Sequence, residues 1–210
     1  MTTQLALYNG ALRLLKERKL SSLSENREPR RVLDDEWLGA VSFCLEQGLW
    51  KFAKRTSKIT YNPDYTRQFG YHYQFIQPDD FIRLASMTSD EYQNVPLNQY
   101  TDEAGSWYAD LQEIFVSYTS NSAEYGNDLS KWPETFCRYV ELYLAVQVGP
   151  RITGEDDKLQ KRMEKALIMA KSKDAMKDPT KFLPQGNWTL SRTQGVYNRR
   201  DGGNRGTLLG

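Results

Sequence analysis

Apolar side chains recur at three- and four-residue intervals in four stretches of the chain, a spacing that predicts amphipathic α-helices. The four predicted helices lie at residues 3–16, 29–48, 132–150 and 154–177. Glycine or proline marks the end of the second and the third. The fourth has an acidic first turn and a lysine-rich last turn, which both suit the helix dipole. The apolar stripe of this fourth helix is formed by Leu159, Met163, Ala166, Leu167 and Ala170.

Between the helix pairs the apolar period shortens to two residues, which is typical of strands. Alternating apolar positions occur at 71–75 and 114–118, and shorter candidates at 58–61 and 81–85. We therefore expect a small antiparallel sheet over residues 55–120. It is inserted in a helical bundle that closes when the first two helices pack against the last two.

The final segment has no sustained period. Residues 186–210 contain six glycines and four arginines but one acidic residue, and such a composition cannot bury enough surface to offset its own chain entropy. We interpret it as an extended arm that a partner holds. The predicted fold is thus α+β: a four-helix bundle formed by both chain ends (1–54 and 131–178), an inserted β module (55–130) and an extended C-terminal arm (179–210).

Composition and charge narrow the class of protein. The chain has 210 residues, 39% of them hydrophobic and 26% charged, with a formal net charge of +1. These values describe a globular chain and exclude nucleic-acid binding by bulk charge alone. No apolar run approaches about 18 residues, so we expect no membrane span, and the N-terminal stretch does not resemble a signal peptide. Cys44 and Cys137 lie far apart inside apolar patterns, which indicates a reduced, intracellular protein.

Side chains that would carry catalysis are sparse. His72 is the only histidine, and a lone histidine between tyrosines is more often structural than catalytic. The two cysteines lack zinc-ligand spacing, and no phosphate-binding loop motif is present. The acidic clusters have simpler interpretations: 34–36 as a solvated helix face, 79–80 as turn residues and 155–157 as helix N-terminal charge. The sequence therefore predicts no enzyme, no cofactor and no metal.

The tryptophans have two expected roles, packing in the core and contact with a partner. Trp37, Trp50 and Trp132 lie in or beside the predicted helices, where a core role is expected. Trp188 lies in the arm, outside any predicted core, so it either packs on its own bundle or anchors an interface. The sequence leaves these two interpretations open.

A series of short segments occurs in a characteristic order along nearly the whole chain. They are NGAL at 9–12, LSSLSE at 20–25, GLWKFAKR at 48–55, YQFIQPDDFIRL at 73–84, IFVSYT at 114–119, WPETF at 132–136, LA at 144–145, AKSKDA at 170–175, GNW at 186–188 and SR at 191–192. In this order they resemble the phage head-to-tail adaptor (connector) proteins of the tail tubular protein A type.

The resemblance implies a non-enzymatic virion protein that is made in the host cytoplasm and assembled at the head–tail interface. Proteins of this family form a ring, usually of twelve copies, under the capsid portal. The ring surrounds the channel for the genomic DNA and connects to the tail. The expected partners are therefore the portal protein, neighbouring adaptor copies, the next tail or neck protein and the DNA in the lumen, with no membrane.

Two groups of residues are candidates for these contacts. A closed ring needs a heterologous contact between copies, and the long, mixed-charge fourth helix offers Lys158, Arg162 and Lys165 as one side of it. Aromatic and arginine side chains of the arm suit an interface. The arm residues expected to bind the portal or a neighbouring copy are Trp188, Arg192, Tyr197, Arg199 and Arg200.

A small nucleic-acid-binding regulatory protein with a basic Arg/Gly tail is the alternative. Such a protein should concentrate Lys and Arg on one helix face that enters a groove of the duplex. The fourth predicted helix mixes seven basic with five acidic residues. This mixture favours a subunit contact over DNA binding.

Overall fold

A computed structural model gives the chain an α+β fold and describes residues 2–65, 69–154 and 157–177. Residues Met1–Ala175 form one compact unit, and residues 176–210 form a second that lies almost wholly outside the described residues. The elements are helices α1 (Gln4–Leu14), α2 (Glu28–Glu46), α3 (Glu134–Ile152) and α4 (Asp157–Ala175), strands β1 (Lys54–Thr60), β2 (Tyr73–Ile76), β3 (Phe81–Thr88), β4 (Thr101–Glu103), β5 (Ser106–Ala109) and β6 (Glu113–Ser120), and two short 3₁₀ turns at Lys51–Ala53 and Leu129–Lys131.

The helix ends follow from local side chains. Thr3 caps α1 by accepting a hydrogen bond from the Ala6 N–H at 3.2 Å. Pro29 lies in the first turn of α2, where its missing N–H has no helical partner to lose. The end of α3 expected at Gly149-Pro150 is wrong, because the helix runs through Pro150. The N–H of Thr153 binds the Gly149 carbonyl at 2.8 Å and so continues the helical pattern past the proline.

The expected four-helix bundle of both chain ends is not formed. α1, α2 and α4 each pack against α3, so three helices surround a central one instead of closing as two pairs. The reason lies in α3, for which the sequence pattern predicts a single apolar stripe. Its buried residues instead occupy positions all around the helix axis and so serve all three neighbours. They are Phe136, Cys137, Tyr139, Val140, Leu142, Leu144, Ala145, Val148 and Gly149.

The β region forms two three-stranded antiparallel sheets and not the one sheet expected. The strand orders are β1-β6-β3 and β2-β5-β4, so β6 and β5 are the central strands. β4 and β5 were not predicted, because three- and four-residue strands are too short to show a two-residue period. Ala104 and Gly105 between them both have positive φ, as a type I′ hairpin turn requires.

Two apolar cores result, one among the helices and one between the sheets. Trp50 belongs to the helical core, where its ring centre lies 4.8 Å from that of Phe136 and its Nε1 donates to the Cys44 carbonyl at 3.0 Å. Arg83 of β3 donates to the Glu46 carbonyl at the end of α2 at 3.0 Å, which ties the first sheet to the helices. The buried residues of the sheet core are Phe75, Met87, Trp107, Ala109, Ile114, Val116 and Tyr118.

Candidate assembly surface

Among the residues that the structure describes, α4 packs against the rest of the chain through one side. Near its end the buried Asp174 accepts a hydrogen bond from the Lys51 N–H at 3.1 Å, which fixes the helix to the turn before β1. The predicted apolar stripe is confirmed and packs against the helical core, so the opposite side of the helix stays exposed. The buried and half-buried residues of the stripe are Leu159, Met163, Ala166, Leu167 and Ala170.

The three predicted interface residues of this helix lie on its outer side. Lys158, Arg162 and Lys165 are all exposed, and so is Lys161 beside them. Residues at these spacings share one side of a helix, and the exposed Asp157 and Glu164 lie beside them, so this side carries mixed charge with an excess of cations. Lys161, Arg162 and Lys165 have no carboxylate within 4.0 Å in the part of the chain that the structure describes. An outside partner can therefore supply one.

Two apolar side chains that were not predicted as interface residues lie on the same outer side. Ile168 is 68% exposed and Met169 is 60% exposed. Neither fits the period of the buried stripe, and that mismatch is the signal that could have found them. Cations beside exposed apolar side chains suit a protein surface that offers both apolar area and carboxylates. We define the α4 face as Lys158, Lys161, Arg162, Lys165, Ile168 and Met169.

The acidic cluster of α2, residues 34–36, contains one half-buried residue and two exposed ones. Asp34 is half-buried and accepts hydrogen bonds from the Tyr8 hydroxyl at 2.9 Å and from Arg30. The interpretation as a solvated face is therefore wrong for Asp34. Asp35 and Glu36 are exposed, as predicted. The split arises because each residue turns roughly 100° about the helix axis, so neighbours point to different sides.

Asp80 has more partners than its place in a turn after Pro78 predicts. Its carboxylate accepts hydrogen bonds from Arg55 at 2.8 Å, from Tyr118 at 3.0 Å and from Ser120. Burial opposes its ionisation, but these donors outweigh burial and hold the pKa of Asp80 below its ordinary value of 3.8. Burial and the neighbouring carboxylate raise the pKa of Tyr118 to about 12. The cluster ties the turn before β3 to β1 and β6.

His72 lies on the surface with one carboxylate partner. The Asp110 Oδ1 accepts from the His72 backbone N–H at 2.9 Å and also lies 2.9 Å from its Nδ1. These two contacts lower the pKa of Asp110. The two side chains are 78% and 57% exposed, and the described residues contain no cluster of three side chains that could hold a metal ion. The absence of catalysis stays a prediction.

The five arm residues expected to bind the portal or a neighbouring copy lie outside the described residues, and so does the predicted arm itself. Their roles stay predictions. They are Trp188, Arg192, Tyr197, Arg199 and Arg200.

Within the described residues, no helix combines the length and the apolar composition that crossing a membrane requires. A scan against protein-family models and a search of curated proteins found no match for the chain. The function is therefore to be inferred from the surfaces of the molecule and from the segments that resemble the adaptor family.

Proposed function

We propose that this protein is a structural virion protein: a head-to-tail adaptor that docks under the capsid portal, forms a dodecameric ring around the DNA channel and connects it to the tail. The observation that supports it is the α4 face, where cations and exposed apolar side chains lie on a helix held by its opposite side. A ring subunit needs such a surface because each copy contacts the next through two different patches.

In this proposal the arm docks onto the portal. Trp188 and Tyr197 supply buried aromatic area, and aromatic residues carry much of the binding energy of protein interfaces. Arg192, Arg199 and Arg200 form ion pairs with carboxylates, which the planar guanidinium group binds in a bidentate geometry. This part of the proposal rests on the sequence alone.

Imaging of the virion neck tests the ring. We expect twelve copies between the portal and the next tail or neck protein, and a monomeric or weakly associated protein in isolation, because single surface ion pairs contribute only about 0–1 kcal/mol. A dimer of two-fold symmetry that persists in the particle contradicts the proposal.

A truncated chain tests the arm. Deletion of residues 187–210 should leave a folded protein, measured by circular dichroism, that no longer attaches to filled heads. The matched control is the full-length His72→Gln variant, which should attach normally. If the truncated chain binds portals with unchanged affinity, the arm is not the anchor.

A nucleic-acid-binding regulatory protein is the second candidate, and one observation favours it. Four cations cluster on the α4 face, which the mixed composition of the helix does not predict. Ile168 and Met169 on the same face argue against it, because phosphates offer no apolar partner. Size-exclusion chromatography with added duplex DNA separates the two candidates: a salt-sensitive complex of DNA with the monomer supports the regulator, and a ring or portal complex supports the adaptor.

A further inference from the structure

α2 presents an outer face of opposite charge to the α4 face. Asp35, Glu36 and Glu46 are exposed on it, and none of them has a cation within 4.0 Å among the residues that the structure describes. Leu38 is 75% exposed and lies at one edge of this face, because it is about 160° around the helix axis from Glu36 at the other edge. We call these four residues the α2 face. An acidic surface with an exposed apolar side chain is the chemical counterpart of a basic surface of the same kind.

The two faces also match in extent. Asp35 and Glu46 mark the ends of the α2 face and are about 16 Å apart along the helix, at 1.5 Å per residue. Lys158 and Met169 mark the ends of the α4 face and have the same separation in sequence. Each face is therefore three helical turns long, enough for several ion pairs beside one apolar contact.

The two faces do not cover each other within one chain. α2 and α4 both pack against α3 through their apolar sides, and the side chains of both outer faces are exposed. A contact between the two faces therefore joins two copies. Because the two patches differ, the contact is heterologous and can repeat from copy to copy until a ring closes.

We infer that the α4 face of one copy binds the α2 face of the next. The inference rests on the proposed function and supplies the repeating contact of its ring. The carboxylates of the α2 face pair with the cations of the α4 face, and Leu38 meets Ile168 and Met169 beside these pairs. Surface ion pairs are individually weak and screened by salt, so the contact requires the apolar residues and several ion pairs together.

Cysteine cross-linking tests the contact in the full chain. The α2-cysteine chain carries Gly39→Cys, at an exposed position where a Cβ meets nothing within 4 Å. The α4-cysteine chain carries Ser172→Cys, which is exposed one turn beyond Ile168. A short bismaleimide should link the two chains when they are mixed at high concentration, but neither chain to itself. The native Cys44 and Cys137 are buried, and wild-type protein with the reagent measures their background.

Charge reversal then tests whether the two faces recognise each other. Lys161→Glu with Lys165→Glu in the α4-cysteine chain should lower the cross-linking yield about tenfold, because two attractive pairs become repulsive. Asp35→Lys with Glu36→Lys in the α2-cysteine chain should restore the yield. The charges of both faces are then reversed, so the faces attract each other again.

A matched control changes the same charge elsewhere. Lys54 and Lys58 are exposed on β1, which packs mainly against β6 and not against α2 or α4. Lys54→Glu with Lys58→Glu in the α4-cysteine chain should leave the yield unchanged. An equal loss in this control would show that net charge, and not the α4 face, governs the association, and the inference would be wrong.

Two further results overturn the inference. One is the absence of a cross-link in the mixture, or equal cross-linking of either chain with itself. The other is salt-sensitive binding of duplex DNA that Lys161→Glu with Lys165→Glu abolishes, without any cross-link, since the α4 face then serves nucleic acid. A ring in the virion neck without the cross-link refutes this contact alone. A cross-link without a ring refutes the adaptor function and leaves the contact standing.

Discussion

α3 and β6 are the central elements of their regions, but the chain holds them in different ways. α3 lies among three helices, and its nine buried residues are almost all apolar. β6 lies between β1 and β3 and buries Ser117, Thr119 and Ser120 beside its apolar side chains. These polar groups have partners, such as Thr56 for Ser117 and Asp80 for Ser120. The helical region is thus stabilised by the close packing of apolar side chains. The sheet region is stabilised in addition by hydrogen bonds between buried polar groups and their partners.

Truncation of a buried side chain of α3 should have the largest effect on the free energy of unfolding. Phe136 is fully buried, and its ring contacts those of Trp50, Phe52 and Trp132. We expect Phe136→Ala to lower the free energy of unfolding by about 3–5 kcal/mol, measured by urea denaturation. The control is Ile168→Ala on the α4 face, expected to change it by less than about 0.5 kcal/mol. Similar losses in the two variants would contradict a fold built around α3.

Removal of the Asp80 charge, beside the polar end of β6, should have the next largest effect on the free energy of unfolding. Hydrogen bonds to charged groups contribute about 1.5–3 kcal/mol, and an amide retains part of them, so Asp80→Asn should lower the free energy of unfolding by about 2 kcal/mol at neutral pH. Because the pKa of Asp80 is lower in the folded than in the unfolded chain, its stabilisation is present above 3.8 and is lost as the pH falls through the folded pKa.

The difference between wild type and Asp80→Asn should therefore shrink in acid, as urea denaturation at a series of pH values would show. Asp79→Asn is the matched control, because Asp79 is the exposed neighbour in the same turn. A pH-independent difference would mean that shape, and not charge, holds this end of the sheet.

Glu141 is the exception in α3, and it should give a smaller effect. Burial raises the pKa of this carboxyl, and a Cβ on Gly10 of α1 would clash with its carboxyl group. Gly10→Ala should therefore not give the wild type the gain of about 1 kcal/mol that this change gives in a helix. The gain should appear when Glu141 is replaced by Ala. A double-mutant cycle of unfolding free energies measures this coupling, and additive values would refute it.

The charges of the α4 face should have the smallest effect on folding. Lys161 and Lys165 are exposed, so Lys161→Glu with Lys165→Glu should change the free energy of unfolding by less than about 0.5 kcal/mol per residue. Thermal unfolding of the isolated protein, followed by circular dichroism, checks this. A large loss would show that the α4 face is part of the fold and not a surface for assembly.

The sequence predicts the helices better than their arrangement. A three- to four-residue period locates α1, α2 and α4 within a few residues, because each has one apolar side. It does not say which helices touch, and a helix such as α3, buried on nearly every side, needs no single stripe. β4 and β5 are too short for a period, so the second sheet could not be found from pattern alone.

The candidate site divides in the same way. The exposure of Lys158, Arg162 and Lys165 follows from the period of α4, and so it could be predicted. Their grouping with Ile168 and Met169 is recognised from the exposure of these side chains in the folded protein. The partners of Asp80 lie 25 to 40 residues away in the chain, so no local pattern indicates them.

The pairing of β1 with β6 has a consequence for the time at which this chain can fold. β1 ends at Thr60, and its partner begins at Glu113. α1 and α2 likewise need α3, which begins at Glu134. Contacts between such distant segments form only after the long intervening loop has closed. As the chain leaves the ribosome from its N-terminus, neither core can be completed until β6 and α3 have emerged.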